Sequence, residues 1–268
     1  MSDQPAWIHP VRARLRAGEP VFGLTITTAN VEAAAHAATL GFHFLWIEME
    51  HSPITLETLR LMVMATRALP ASVLARVPAV ELWTAKRVLD QGVSGVIFPF
   101  TSTAEIAARA AAACRYPPLG KRGSGAGAAV RTWPQRGNYY DSADAQVMTV
   151  CVVEDVAGVE SLDAIAATPG VDVIFIGTSD LSFSRGFRGS QTEPAHRAAI
   201  AHITDAAKKH GKYLGRPAGT PDQVYEFIQQ GFLFFQMPTE IGLMEMGARQ
   251  LLDPLGIAGM PAAQRSLY

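Results

Sequence analysis

The sequence predicts a (β/α)8 barrel, and two patterns in its 268 residues support that fold class. Short apolar runs rich in β-branched and aromatic residues recur along the chain, and each is followed by a segment with apolar residues at helical spacing. Such alternations, repeated eight times, fill the roughly 250 residues typical of this fold. The runs are nearly continuous in apolar character, as parallel strands covered by helices require.

The eight strand candidates follow one another in chain order. They are VFGLTIT from Val21, FLWIEME from Phe44, SVLARV from Ser72, GVIFPF from Gly95, MTVCVV from Met148, VDVIFIG from Val171, KYLGR from Lys212 and FLFFQM from Phe232. Capping residues predict helix starts at Asn30, Thr55, Glu81 and Thr220 with Pro221. Glycines that follow apolar periodic segments predict helix ends at Gly41, Gly92, Gly211 and Gly231.

An open, doubly wound sheet is the main alternative architecture. It is disfavoured because the turn after the first strand, TTANVE, contains no glycine, so the dinucleotide-binding fingerprint is absent. One long irregular stretch, residues 116–146, separates strands four and five. Loops of that length are usually functional, so we expect this one to carry Lys121 and Arg122 over the barrel mouth.

Composition narrows the range of partners. The 23 basic and 24 acidic residues nearly cancel and form no basic run, so we expect no nucleic-acid partner. The N-terminus lacks the apolar centre of a signal peptide, and no apolar run is long enough to cross a membrane, which predicts a cytoplasmic protein with small-molecule partners. The spacing of Cys114 and Cys151 suggests reduced core thiols.

Polar side chains gather where the predicted strands end. Active sites of (β/α)8 barrels lie at the C-terminal ends of the strands, so these residues predict the site. The set comprises Glu48, Glu50, His51, Arg76, Glu154, Asp155, Thr178, Ser179, Asp180, Arg216 and Gln236.

Two carboxylates of this set, Glu154 and Asp180, follow neighbouring strands and can share a hard divalent cation such as magnesium or manganese. The alternative is helix capping, by Asp180 for LSFSRG and by Asp155 for the helix leading to SLDAIAAT. Arg76 offers a fixed fork for a carboxylate or an enolate oxygen, or forms a salt bridge to Glu48 or Glu50. His51 is the natural general base, although a histidine after a strand is often structural.

Several segments together resemble the HpcH/HpaI aldolases, a family of metal-dependent, pyruvate-specific class II aldolases. They are IEMEHSP, ARVP, KRVLDQG, RYPPLGKRGSG, VEDVAGVESLDAIAATPGVDVIFIGTSDLSFSRG and HGK. The resemblance implies that Glu154 and Asp180 hold the metal, Mg²⁺, Mn²⁺ or Co²⁺. It also implies that Arg76 binds the pyruvate carbonyl oxygen, and that Glu48 and Glu50 order the water around the metal, with Glu48 replacing the usual aspartate.

The same resemblance assigns the proton transfers and the assembly. It implies that His51 is catalytic and pairs through water with Asp90 of a neighbouring subunit, and that the backbone amides of Ser179 and Asp180 bind the pyruvate carboxylate. It further implies a homohexamer, a trimer of dimers, in which the C-terminal helices around EIGLMEMGARQLL are exchanged.

Three positions depart from the family pattern. Val152 stands where the family commonly has glutamine, and Thr178 stands where it usually has proline. Arg216 lies where the family is typically small and neutral, so we expect it to bind a second substrate carboxylate beside the metal. Val152 leaves the metal and pyruvate chemistry in place but changes the surroundings of the acceptor aldehyde.

We therefore expect residues 1–268 to form one barrel domain that cleaves or forms 4-hydroxy-2-oxo acids through a pyruvate enolate, with a 2-oxo acid and an aldehyde as partners. A related metal-dependent decarboxylase or synthase is the first alternative. A non-catalytic barrel is the second, and the retention of Arg76, Glu154 and Asp180 argues against it.

Overall fold

The computed structural model describes residues 8–133 and 138–257, and its strands form a closed parallel barrel in which each pairs with the next and the last with the first. This confirms the predicted fold class and all eight strands. They are β1 (Val21–Ile26), β2 (Phe44–Glu48), β3 (Ser72–Arg76), β4 (Gly95–Phe98), β5 (Met148–Val153), β6 (Val173–Ile176), β7 (Tyr213–Pro217) and β8 (Phe232–Thr239).

Helices separate the strands and cover the barrel. They are α1 (Pro10–Arg16), α2 (Val31–Ala37), α3 (Leu56–Ala65), α4 (Leu82–Gln91), α5 (Ala104–Ala113), α6 (Gly127–Thr132), α7 (Tyr139–Gln146), α8 (Val156–Glu160), α9 (Leu162–Ala167), α10 (Thr178–Ser184), α11 (Pro194–Lys209), α12 (Pro221–Gln229) and α13 (Glu240–Leu252). The side chains of Asn30, Thr55 and Thr220 accept the predicted capping hydrogen bonds, whereas Glu81 precedes α4 without one.

Aromatic side chains fill the inside of the barrel. The ring centroids of Phe44 and Phe234 lie 4.6 Å apart, and those of Trp46 and Phe175 lie 5.0 Å apart. Gly23 makes room for this packing, because a Cβ atom there would lie 2.0 Å from the Phe44 ring. The interior is therefore a packed core, and the functional site must lie at one end of the barrel.

Helix α1 closes the N-terminal end of the barrel. Arg12 donates from both terminal nitrogens to Asp172, at 2.7 and 2.8 Å, and so joins α1 to the segment before β6. His9 caps the helix by accepting from the backbone N–H of Arg12, and its own N–H donates to Gln146. Burial, with a smaller contribution from the Arg12 charge, lowers the pKa of His9 from 6.5 to about 3.

The pKa of His9 gives this end of the barrel a pH-dependent stability. The unfolded chain binds a proton at His9 below pH 6.5 and the folded chain does not until about pH 3, so stability falls as the pH drops through that window. Between pH 7 and pH 5, His9 is expected to remove about 2 kcal/mol from the free energy of unfolding. Urea unfolding of wild type and His9→Asn at both pH values measures it. Asparagine keeps a side-chain oxygen that can cap α1 but does not titrate. If the free energy of unfolding depends on pH equally in both proteins, His9 is not the source of that dependence.

The long stretch between β4 and β5 differs from the expected open loop. It contains the short helices α6 and α7, while residues 134–137 lie outside the described part of the chain. Arg122 is not over the barrel mouth but fully buried, where it donates to the Tyr139 hydroxyl at 3.0 Å and to Asp90 at 3.3 Å. Lys121 is exposed. Arg122 therefore makes hydrogen bonds and stacks on aromatic rings inside the protein, and the expectation that it lies over the barrel mouth is wrong.

Helix α13 differs from the other long helices, because none of its residues is buried. Five of its large apolar side chains are exposed, namely Ile241, Met244, Met246, Leu251 and Leu252. An apolar helix face that the chain itself leaves uncovered is typical of a surface that packs against another molecule.

Two smaller expectations concern the thiols and the membrane. Cys114 and Cys151 are buried free thiols, and burial raises their pKa values to about 11 and about 12. In residues 8–133 and 138–257, no helix combines the length and the apolar character needed to span a bilayer.

Candidate active site

The candidate site lies at the C-terminal end of the barrel, where the sequence predicts it. The end of β2, the end of β3, the turn after β5 and the first turn of α10 supply its charged groups. One pocket brings together the end of β3, the turn after β5 and the first turn of α10, and its lining is formed by Arg76, Val152, Glu154, Phe175, Gly177, Thr178, Ser179, Pro217 and Gln236.

Glu48 and Arg76 form a buried pair at one side of this pocket. Nε of Arg76 donates to Oε2 of Glu48 at 2.6 Å, and the indole N–H of Trp46 donates to the same oxygen at 3.2 Å. Oε1 of Glu48 accepts from the backbone N–H groups of Glu50 and His51, at 2.8 and 3.0 Å. These four donors occupy the acceptor positions of a carboxylate. The geometry of Glu48 therefore supports positioning of Arg76, and not the expected ordering of water around a metal.

Glu50 and His51 continue this charged network toward solvent. Oε2 of Glu50 lies 3.2 Å from Nη1 of Arg76 and 3.7 Å from Nε2 of His51. Burial raises the pKa of Glu50, while the Arg76 and His51 charges act in the opposite direction. Arg76 thus forms the salt bridges that were its alternative role, and the side chain of His51 remains about half exposed and accessible to substrate or water.

Glu154 is the buried carboxylate of the pocket. Its Oε1 accepts from the backbone N–H of Phe100 at 2.7 Å, and Phe100 has a φ of 44°, in the left-handed region that non-glycine residues rarely adopt. Burial, together with the nearby carboxylates of Asp180 and Glu50, raises the pKa of Glu154 to about 8, while the Phe100 N–H and the Arg76 charge act in the opposite direction. Three acidic groups close enough to interact form a site where a divalent cation would relieve the repulsion.

The donor set around this site fits a metal with open positions. No group of three or more His, Cys, Asp or Glu side chains in the described residues has the arrangement of a complete metal site. Glu154 and Asp180 are the two carboxylates that could supply oxygen ligands here, and water and substrate would supply the others. Helix capping does not account for Asp180, which is the third residue of α10, whereas Asp155 does cap α8 by accepting from Gly158 N–H at 2.7 Å.

Arg216 does not lie where the sequence suggested. Its guanidinium carbon is 3.4 Å from the centroid of the Phe227 ring on α12 and 5.2 Å from that of Phe232. Burial there lowers the pKa of Arg216 to about 10. The residue lines a groove of about 1060 Å³ along α11 and α12 and is absent from the lining of the Glu154 pocket. The expectation that Arg216 binds substrate beside the metal is corrected to packing between β7 and the helix layer.

Asp90 lies on α4, and the side chain of Arg122 holds it. Nη2 of Arg122 lies 3.3 Å from Oδ1 of Asp90. Gly125 packs against the other oxygen so closely that a Cβ atom at this glycine would lie 2.9 Å from Oδ2 of Asp90. Its carboxylate is therefore fixed in one orientation at the outside of the barrel, partly exposed to solvent.

Reasoning from the sequence missed three residues that shape the site, namely Trp46, Phe100 and Gly177. Trp46 and Glu48 are two residues apart on one strand, so the alternation of side chains along a strand would have predicted that they share a face. Gln236 was recognised as a strand-end residue without a role. The left-handed backbone of Phe100 and the need for glycine at 177 had no signal in the sequence; a Cβ at Gly177 would lie 2.4 Å from Oε2 of Glu154.

Comparison with known proteins agrees with this geometry. The sequence profile of the HpcH/HpaI aldolase/citrate lyase family matches residues 22–245. The chain is 34% identical to a hydroxypyruvate/pyruvate aldolase from Paraburkholderia phytofirmans, covering 91% of this chain and 96% of that protein. It is 32% identical to a 5-keto-4-deoxy-D-glucarate aldolase from Klebsiella pneumoniae, covering 94% and 98%.

A solved structure extends the comparison to the fold. The crystal structure of an HpcH/HpaI aldolase/citrate lyase family protein from Burkholderia cenocepacia superposes with a TM-score of 0.85 at 31% identity, covering 93% of this chain and all of that one. The profile match and these relatives cover most of the chain at more than 30% identity. The chain therefore belongs to the HpcH/HpaI aldolase/citrate lyase family.

Proposed function

We propose that the whole chain, residues 1–268, is a divalent-metal-dependent class II aldolase that cleaves or forms 4-hydroxy-2-oxo acids through the enolate of a 2-oxo acid. The observation that carries the proposal is the shared pocket, in which a buried arginine, Arg76, and a buried carboxylate, Glu154, face the same small cavity. The names of the relatives support the reaction class and extend the 2-oxo acid to pyruvate or hydroxypyruvate.

Glu154 and Asp180 would hold the metal ion, which we propose to be Mg²⁺, Mn²⁺ or Co²⁺ because all its protein ligands are oxygens. When bound, the cation would withdraw charge from the 2-oxo group and so favour the enolate. The Phe100 N–H fixes one oxygen of Glu154 and leaves the other to face the pocket.

Arg76 has the role of binding the oxygen on which negative charge develops. Its Nε and Nη1 are held by Glu48 and Glu50, so the guanidinium plane is oriented before substrate arrives. The carboxylate of the 2-oxo acid would accept from the backbone N–H groups of Ser179 and Asp180, which lie in the first turn of α10, where the positive end of the helix dipole favours an anion.

His51 would transfer the proton to or from the substrate hydroxyl through a water molecule. Its position beside Glu50 at the open edge of the site leaves the imidazole accessible. We propose that Asp90 of a neighbouring subunit completes this pair in a homohexamer built as a trimer of dimers. The uncovered apolar face of α13 supports such an assembly with exchanged C-terminal helices.

Removal of the metal tests the function directly. Release of pyruvate from a panel of 4-hydroxy-2-oxo acids is measured with and without EDTA, followed by addition of Mg²⁺, Mn²⁺ or Co²⁺. EDTA is expected to lower the rate by about 100-fold or more, and an added metal to restore it. Turnover that EDTA leaves unchanged contradicts the proposal. Pyruvate from oxaloacetate alone, with no reaction of the hydroxy-oxo acids, indicates a decarboxylase instead.

A further inference from the structure

Gln236 at the end of β8 is a largely buried residue whose side-chain amide has no partner within the described chain. Only 9% of the residue is exposed. Its backbone oxygen accepts from Ala218 N–H at 3.0 Å, but in residues 8–133 and 138–257 its side-chain amide makes no hydrogen bond. The amide is not one of the fully enclosed polar groups that lack a partner in that part of the chain, so it is open to the cavity that it lines. A molecule that fills the cavity would enclose the amide and would have to bind it, because an enclosed amide without a partner costs free energy.

The side chain of Gln236 faces the candidate active site. In the barrel register, Gln236 lies between Gly23 on β1 and Pro217 on β7, and it lines the same pocket as Arg76 and Glu154. Gln236 also lines the large groove along α11 and α12, so it lies where the two cavities meet. Its amide is therefore accessible to a molecule that enters the pocket from the groove.

The other strands on this side of the pocket line it with apolar side chains only. Val152 on β5, Phe175 on β6 and Pro217 on β7 line the cavity with apolar side chains. Among the pocket-lining residues of β5 to β8, Gln236 is therefore the one with a polar side chain, and the other polar lining residues lie on β3, after β5 and on α10. Since an amide both donates and accepts, Gln236 matches a hydroxyl group, which needs one bond of each kind.

The proposed function leaves one position of the 2-oxo acid unassigned. Its carboxylate is assigned to the amides of Ser179 and Asp180, and its oxo group to Arg76 and the metal, on β3, β5 and α10. The third substituent is C3, and β8 lies between β7 and β1, away from those groups. With the carboxylate and the oxo group placed in this way, C3 would point toward the wall that carries Gln236.

We propose that Gln236 determines the choice of 2-oxo acid, and that its amide binds a hydroxyl group on C3 and so favours hydroxypyruvate over pyruvate. This inference rests on the proposed function. A site built to bind a hydroxyl discriminates against the analogue that lacks it, because its buried polar group then stays unpaired. Val152 contributes by keeping the facing wall apolar, so that no second amide competes for the hydroxyl.

The test compares the two acids in wild type and Gln236→Leu, a change that keeps the volume and removes the amide. With glycolaldehyde as acceptor and Mn²⁺ present, the ratio of kcat/KM for hydroxypyruvate to that for pyruvate is expected to fall five- to tenfold in the variant. Calorimetric Kd values of both acids for the Mn²⁺-loaded protein are expected to show the same change in ratio. Gln229→Leu, on the exposed surface of α12, is the matched control and keeps the wild-type ratio.

The outcomes separate this inference from the function on which it rests. Suppose that the wild type catalyses the aldol reaction and that the hydroxypyruvate-to-pyruvate ratio of kcat/KM changes less than twofold in Gln236→Leu. This result overturns the role of Gln236 alone and means that the amide binds water. If wild type binds the acids without reacting, the Kd ratio still decides the role of Gln236 and only the proposed function fails. If neither acid binds, both are wrong.

Discussion

Replacement of Arg76 by lysine is expected to lower kcat/KM for cleavage of a 4-hydroxy-2-oxo acid by about 10²- to 10³-fold. The guanidinium is 3% exposed and contacts Glu48 and Glu50 through two different nitrogens while it lines the substrate pocket. A lysine ammonium keeps the charge but is a single point, so it cannot bind both carboxylates and the enolate oxygen in a fixed plane. Steady-state kinetics on purified variants measures the loss.

The control for this change is Arg109→Lys. Arg109 forms a surface contact with Glu81 and with the carbonyl of Val80, far less buried than the Arg76 pair, so this variant is expected to keep wild-type kinetics. Thermal unfolding of both variants separates a catalytic loss from misfolding. A folded Arg76→Lys protein with kcat/KM within threefold of wild type contradicts the assigned role of Arg76.

The barrel could be predicted from the sequence because its signal is repeated. Each strand and helix alternation is weak alone, but eight in succession leave few other architectures. The strand-end rule placed Arg76, Glu154 and Asp180 at the same end of the barrel for a similar reason, since charged residues after buried strands are costly unless other charged or polar groups meet them there. These predictions depend on the order of the strands and helices and on which segments are buried, and the pattern of apolar residues in the sequence indicates both.

The predictions that failed depended on the direction of single side chains. Arg216 and Pro217 are adjacent, and alternation in β7 turns Pro217 toward the pocket and Arg216 toward Phe227. A one-residue change of register would exchange them, and the pairing of β7 with β8 does shift between Leu214 and Gly215. Arg122 is a similar case, because its aromatic partners Tyr116 and Tyr139 come from a stretch without a clear pattern.

Replacement of Gly177 by alanine is expected to lower activity by about 100-fold, because the added methyl group would displace Glu154. The new Cβ would lie 2.4 Å from Oε2 and 2.7 Å from Cβ of Glu154. Glu154 is buried and already held by the Phe100 N–H, so its carboxylate cannot move without losing that bond. A displacement of about 1 Å at a catalytic group costs about that much in rate. Kinetics and calorimetric titration with Mn²⁺ measure it.

Gly127→Ala is the matched control, since a Cβ there meets nothing within 4 Å. The overpacked Gly177→Ala protein is also expected to lose about 1 to 3 kcal/mol of unfolding free energy. The two readouts separate the possible roles of Glu154. If Gly177→Ala weakens Mn²⁺ binding and activity together, Glu154 acts as a metal ligand. If it loses stability but keeps both, the carboxylate only stabilises the strained backbone at Phe100, and the metal site must lie elsewhere.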